Sequence, residues 1–140
     1  MKRFPTFAVW LVLFAACTAK NQGEPMQDVT RQEQSKDIAK EFTTLAEAWA
    51  KHCQSVRLSS NIHAYLDHPA YHGLVKLGRP AIPYIMERYE KDHLPWGFVL
   101  DEITGLRVIE DPDHFSPPKV RKRWIEWWRQ QDLQRKSGKG

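Results

Sequence analysis

The chain has 140 residues, of which 41% are hydrophobic and 27% are charged, a composition typical of one globular domain and not of a disordered, collagen-like or multidomain protein. It contains two cysteines, and because Cys17 ends an apolar run, a framework of disulfides inside a folded domain is excluded. The net charge of +4 is unevenly placed, since residues 119–140 carry eight Lys or Arg and two acids, whereas residues 20–118 are slightly acidic.

The first 16 residues have the pattern of a secretory signal peptide. Lys2 and Arg3 give a positive start, and an unbroken apolar stretch runs from Phe7 to Ala16. This stretch is about half as long as the roughly 20 apolar residues that a membrane-spanning helix needs. We therefore expect it to direct export and to contribute nothing to the fold.

Residues 14–17, Phe-Ala-Ala-Cys, resemble the lipobox of bacterial lipoproteins. The resemblance implies cleavage before Cys17, lipidation of its sulfur, and lasting attachment to a membrane through more than one acyl chain. It also implies a location in the bacterial cell envelope. Because Thr18 replaces the Asp that commonly retains such proteins at the inner membrane, the periplasmic face of the outer membrane is favoured. Two alternatives stay open: ordinary signal-peptidase cleavage after Ala19, and an uncleaved cytoplasmic chain.

The rest of the chain divides into a flexible tether (17–27), a helical domain (28–136) and a disordered tail (137–140). The tether prediction depends on Gly23, Pro25 and the lack of an apolar period. From Asp28 to Arg57, apolar residues recur three or four positions apart, which predicts one long helix with a single buried face. That face consists of Ile38, Phe42, Leu45, Trp49, Cys53 and Val56.

Proline and glycine mark the helices that follow. Residues 62–66 form at most one helical turn, and a helix is predicted from Pro69 to Leu77, with Gly78 as a left-handed cap. Further helices are predicted over 79–91, over 95–104 and from Pro117, where Ser116 is the expected cap. A polar tail is expected after Gln131. No segment alternates with period two, so the sequence predicts an all-α domain of about five helices.

Residues 77–86, Leu-Gly-Arg-Pro-Ala-Ile-Pro-Tyr-Ile-Met, resemble the signature of a HEAT-like repeat. Residues 38–128 as a whole resemble a family of short uncharacterised bacterial proteins. Motifs shared with that family include His68-Pro69-Ala70-Tyr71 and Ile103-Thr104-Gly105. The resemblance implies antiparallel helical pairs that bind partners, with the long first helix as a cap, and it implies no enzymatic activity.

The sequence contains no strong catalytic motif. His68 and His72 are four residues apart, a spacing that can place two imidazoles on one helical face for a metal, but Pro69 favours roles in capping and packing. Cys53 lies on the apolar face of the first helix and is interpreted as a core residue. The candidates for a catalytic pair of carboxylates are interpreted as solvated loop acids: Asp101, Glu102, Glu110, Asp111 and Asp113. No catalytic residue and no cofactor is predicted, and a small hydrolase or metal enzyme using His68 and His72 is the weakest hypothesis.

The last helix combines basic residues with tryptophans, a mixture that can bind anionic lipid, nucleic acid or an acidic protein. Export would exclude nucleic acid as a partner. A competing interpretation is that the tryptophans are core and the cations form a solvated face. Because interface centres are enriched in aromatic residues and Arg, the predicted contact residues are Trp96, Phe98, Arg121, Arg123, Trp127 and Trp128. The sequence thus predicts an envelope-anchored, non-enzymatic binding or adaptor lipoprotein with a protein partner. The alternative is an immunity or inhibitor protein against an envelope-acting toxin or hydrolase.

Overall fold

The computed structural model describes residues 24–138, with side chains from residue 28 onward. In this part of the chain the regular structure is entirely helical, which confirms the prediction of an all-α fold with about five helices and a long first helix. The helices are α1 (Glu24–Ser55), α2 (His63–Leu66), α3 (Pro69–Leu77), α4 (Ile82–Lys91), α5 (Trp96–Thr104) and α6 (Pro117–Ser137), and a 3-10 turn (Arg79–Ala81) precedes α4. The predicted signal peptide, the lipidation site Cys17 and the last two residues lie outside the described residues.

Two helices extend beyond their predicted limits. Helix α1 begins at Glu24, inside the segment predicted as a tether, and α6 continues to Ser137, into the polar tail expected after Gln131. Residues 28–37 and 133–137 are exposed, so no apolar period marks these helix ends in the sequence. They are rich in Gln, Glu, Lys and Arg, which lose little rotamer freedom in a helix. Pro25 falls in the first turn, where its missing N–H removes no hydrogen bond.

Helices α1 and α3 form an antiparallel pair. Leu45 lies against Gly73, and the ring of Trp49 is 5.6 Å from that of Tyr71. One turn further along α1, the ring of His52 stacks on the ring of His68, the residue just before α3. Contacts thus move towards lower numbers in α3 as they move towards higher numbers in α1. The predicted apolar face of α1 carries this packing.

Trp96, the first residue of α5, lies at the centre of the core. It is fully buried, and its ring centroid is 4.9 Å from that of Trp49 and 5.9 Å from that of Phe42. Its indole N–H donates to Asp92 Oδ1 at 2.7 Å, so the one polar atom of this large ring is satisfied. Trp96 therefore joins α1 to α5.

Helix α6 packs against α4 and α5 through Val120 and Trp124, both buried. Beyond Trp124 its side chains are half-buried or exposed, and Leu133 is 66% exposed. None of the helices in residues 24–138 has the length and apolar character needed to cross a membrane.

The helix ends show two differences from the predictions. Gly78 has a positive φ of 68° but a ψ of −156°, so it ends α3 without the left-handed conformation, whereas Gly105 ends α5 in that conformation. Ser116 occupies the position before α6, but its hydroxyl makes no capping hydrogen bond. A capping side chain normally accepts the N–H of the second or third helical residue. The second is Pro118, which has no N–H, and the N–H of the third, Lys119, makes no hydrogen bond to the hydroxyl.

Candidate functional site

A groove of about 490 Å³ lies where four segments of the chain meet. These are the loop and helix at 59–65, the α4–α5 junction, the loop that follows α5, and the first turn of α6. Most of the lining is apolar or aromatic: Ile62, Tyr65, Tyr89, Leu94, Pro95, Phe98, Ile109, Pro112, Phe115, Pro117, Pro118 and Val120. A concave site of this size, apolar with a few polar groups, is the usual form of a ligand-binding site.

Gly97 allows α5 and α6 to approach each other beside the groove. A β-carbon at this position would lie 2.7 Å from Cγ1 of Val120 and 3.2 Å from the hydroxyl of Tyr89. Both distances are shorter than ordinary van der Waals contact, so only glycine fits without displacement. The close approach brings the lining residues of the two helices into one concave surface.

Asp101 holds the loop that forms one wall of the groove. Its two carboxylate oxygens accept the N–H groups of Val108 and Ile109, at 2.7 and 2.9 Å. Burial raises the pKa of this carboxyl, and the two N–H donors oppose the rise. Asp101 is thus a structural clamp on residues 108–109, and the interpretation of this acid as a solvated loop residue is wrong.

Arg121 supplies the positive charge of the groove. Its Nη2 donates to the carbonyl oxygen of Glu90 at 2.6 Å. Its Nε is buried and has no hydrogen-bond partner among the described residues. The side chain as a whole is half-buried, and it lines both this groove and a separate depression along α6.

Tyr89 places a second polar group in the lining. Burial raises the pKa of its hydroxyl to about 12, while the nearby charge of Arg121 and a hydrogen bond from the N–H of Gly97 act in the opposite direction. The phenol is therefore neutral at physiological pH. His93, Asp113, Ser59 and Ser60 complete the polar lining.

The six predicted contact residues lie in four different parts of the structure. Phe98 and Arg121 line the groove, although Phe98 is only 8% exposed. Arg123 is exposed and lines a smaller depression of about 240 Å³ on the other side of the loop after α5. Trp96 is a core residue, and its burial removes it from the set that can touch a partner.

Trp127 and Trp128 lie further along α6, and both are half-buried. The ring of Trp127 packs edge-on against Trp124, with centroids 5.2 Å apart. Arg135 lies over the ring of Trp128, 4.6 Å from its centroid. These tryptophans thus cover the core with one side and present only part of their surface to solvent.

His68 caps the N-terminus of α3. Its Nδ1 accepts the N–H of Ala70 at 3.2 Å, and its ring stacks on His52, a residue that the spacing argument did not consider. His72 is exposed and meets the edge of Tyr71. Among residues 24–138 there is no group of three or more His, Cys, Asp or Glu side chains that could hold a metal ion.

Sequence reasoning missed most of the groove. Tyr65, Tyr89 and Phe115 come from separate elements, and no local pattern relates them. Gly97 did carry a signal, because a glycine inside an apolar helical segment often marks close packing.

No family model, curated protein or solved structure gives a significant match to this chain. The resemblance to HEAT-like repeats therefore stays a prediction.

Proposed function

We propose that the protein is a non-enzymatic binding module, anchored to the bacterial cell envelope through Cys17, and that a segment of a protein partner binds in the groove. The observation that carries the binding role is the groove itself, a mostly apolar concavity of about 490 Å³ with Arg121 in its lining. The observation that carries the envelope location is the N-terminal sequence, whose apolar run ends in Ala-Ala-Cys.

The arrangement of the groove favours binding over catalysis. Its acid, Asp113, is exposed, and burial keeps the Tyr89 hydroxyl protonated. The buried thiol of Cys53, whose pKa burial raises to about 11, does not line the groove. The groove thus offers shape, apolar surface and a few polar and charged groups, which are the properties of a recognition site.

The location is tested by intact mass and membrane fractionation of the full-length chain beside its Cys17→Ser variant. We expect the wild type to begin at Cys17, to be heavier by its acyl chains and to sediment with membranes, while the variant stays unprocessed. An uncleaved and unmodified wild type in the cytosol would overturn the envelope location.

The binding role is tested by photo-crosslinking in the native host. A photoreactive residue replaces Pro112, which is exposed at the groove, or Gln130, which is exposed on α6 away from it. We expect one discrete crosslinked protein from position 112 and none from position 130. The same product from both positions, or none from either, would contradict a partner in the groove. An inhibitor or immunity protein would give a crosslinked partner that also copurifies tightly in equal amounts.

A further inference from the structure

Arg121 has no ion-pair partner within the described part of the chain, although an exposed acid, Asp113, also lines the groove. The Nη2 group of Arg121 donates to a neutral carbonyl oxygen, that of Glu90. Nε is buried without an acceptor. An unsatisfied buried donor is costly, and a donor on a charged group more so. The groove therefore lacks an anionic acceptor at Arg121.

A carboxylate fits this position best. The guanidinium presents its N–H donors in a fixed plane that matches the two oxygens of a carboxylate. Because Nε is buried and one N–H of Nη2 binds Glu90 O, the N–H groups left for an oxygen anion are those of Nη1 and the second N–H of Nη2. The hydroxyl of Tyr89, which lines the same groove, is a neutral hydrogen-bond donor.

The apolar part of the groove lining indicates which kind of group the ligand carries beside its carboxylate. Phe98, Ile109 and Phe115 form apolar lining in the same groove as Arg121. A ligand that fills the groove thus carries an apolar group next to its anion. Burying such a group contributes about 25 cal/mol for each Å² removed from water.

The polar groups of the lining favour a polypeptide over a fatty acid. Ser59, Ser60 and Asp113 line the groove, and such side chains can hydrogen-bond to peptide N–H and C=O groups. The Ser59 hydroxyl already bonds to Asn61, so the exposed Ser60 and Asp113 are the groups that a peptide backbone can pair with. An alkyl chain offers these two groups no partner. A chain terminus combines a carboxylate, an apolar last side chain and a peptide backbone in one ligand.

We propose that the groove binds the C-terminal carboxylate of a partner polypeptide whose last residue is apolar, with Arg121 holding the carboxylate. The proposal rests on the proposed function, since it states which part of the protein partner enters the groove. Recognition of a free chain end is an established use of oriented donors in binding domains.

The test uses the full-length chain in phosphatidylcholine nanodiscs and the fluorescence anisotropy of a labelled peptide. The probe is fluorescein-Gly-Ala-Ala-Leu with a free C-terminal carboxylate, and its matched control is the same peptide with a C-terminal amide. We expect the carboxylate peptide to bind about tenfold more tightly, the ratio expected for one charge-assisted hydrogen bond. Empty nanodiscs give the background.

Two variants locate the effect. Arg121→Gln is expected to lower the affinity for the carboxylate peptide to that for the amide. Arg123→Gln, on the same helix but exposed outside the groove, is expected to keep the preference. If Arg121→Gln unfolds, the comparison of the two peptides on the wild type still decides the proposal.

Each of the other outcomes of the binding experiment contradicts one specific part of the proposal. Equal binding of both peptides, competed by an excess of unlabelled amide, would overturn recognition of the carboxylate and leave a partner in the groove intact. Octanoate that displaces the probe and itself binds more tightly would replace the chain terminus with a fatty acid. No binding of either peptide or of octanoate would overturn the proposal and count against the groove as the site of the proposed function.

Discussion

The imidazole rings of His52 and His68 stack, with centroids 4.3 Å apart and planes 21° from parallel. His52 Nε2 donates to the carbonyl oxygen of Ala64 at 2.8 Å, and His68 Nδ1 accepts the N–H of Ala70. The stack thus joins the last turns of α1 to the start of α3. The contact made by His68 requires a neutral ring, because a doubly protonated imidazole cannot accept a hydrogen bond.

This stack predicts a loss of stability in mild acid. Partial burial and the neighbouring charge of His52 hold the pKa of His68 below its usual value of 6.5. The unfolded chain therefore binds more protons on this group than the folded chain just below pH 6.5. Stability then rises with pH across that window and falls as the pH drops through it.

We expect the free energy of unfolding, measured by urea denaturation, to be lower at pH 5 than at pH 7. His68→Asn retains a good capping residue that does not titrate, so its loss between the two pH values is expected to be smaller. The control is His72→Asn, on the exposed face of the same helix, which should behave as the wild type. An unchanged pH dependence in His68→Asn would contradict the role of this ring.

Gly97→Ala is expected to lower the free energy of unfolding by about 1–3 kcal/mol, the usual cost of overpacking. The added β-carbon would lie 2.7 Å from Val120 Cγ1. Thermal or urea unfolding measures the change. Because Val120→Ala removes the clashing methyl, the double variant should lose less than the two single variants together, by about 0.5–3 kcal/mol. Strict additivity would show that the clash is relieved elsewhere.

Asp101→Asn is expected to release the loop that borders the groove. The amide can accept through one oxygen only, so one of the two hydrogen bonds from Val108 and Ile109 is lost. Hydrogen exchange of these two amides should become faster, and the free energy of unfolding should fall by about 1–3 kcal/mol. Glu110→Gln, an exposed acid of the same loop, is the matched control. Equal exchange rates in wild type and Asp101→Asn would show that Asp101 does not hold this loop in place.

Cys53 is expected to be unreactive in the folded protein. It is 4% exposed, and burial raises the pKa of its thiol to about 11. Because the thiolate is the reactive form, a disulfide reagent at pH 8 should not modify the native Cys17→Ser protein, in which Cys53 is the one remaining thiol. Denaturant should expose one reactive thiol per chain, and the Cys17→Ser, Cys53→Ser double variant should expose none. Rapid labelling without denaturant would show that the C-terminal half of α1 opens and exposes Cys53 in the native protein.

The sequence predicted the helices because their determinants are local. The spacing of Phe42, Trp49 and Cys53 marked the buried face of α1, and Pro69 and Gly105 marked helix ends. It missed the outer ends of α1 and α6, where solvated residues form helix without an apolar period. It also assigned capping to Ser116, whose hydroxyl makes no capping bond; Pro118 removes one of the two N–H groups that such a cap can bind.

The candidate site could be predicted only in part. Arg121 and Phe98 were selected by residue type, and both line the groove. Trp96 was selected by the same criterion and is buried, because residue type alone does not distinguish an exposed aromatic ring from one at the centre of a core. The difference depends on whether another helix covers the ring, and here Phe42 and Trp49 of α1 cover it.

By itself the sequence determined the helical class, most helix boundaries and an N-terminus with the pattern of an export signal, since each depends on residues within a few turns of one another. Only the tertiary structure decided that His68 pairs with His52 and that Asp101 clamps the following loop. It alone placed Tyr89, Phe98 and Arg121 around one concavity. Such contacts depend on how whole helices pack, and packing joins residues whose separation in the chain carries no periodic signal.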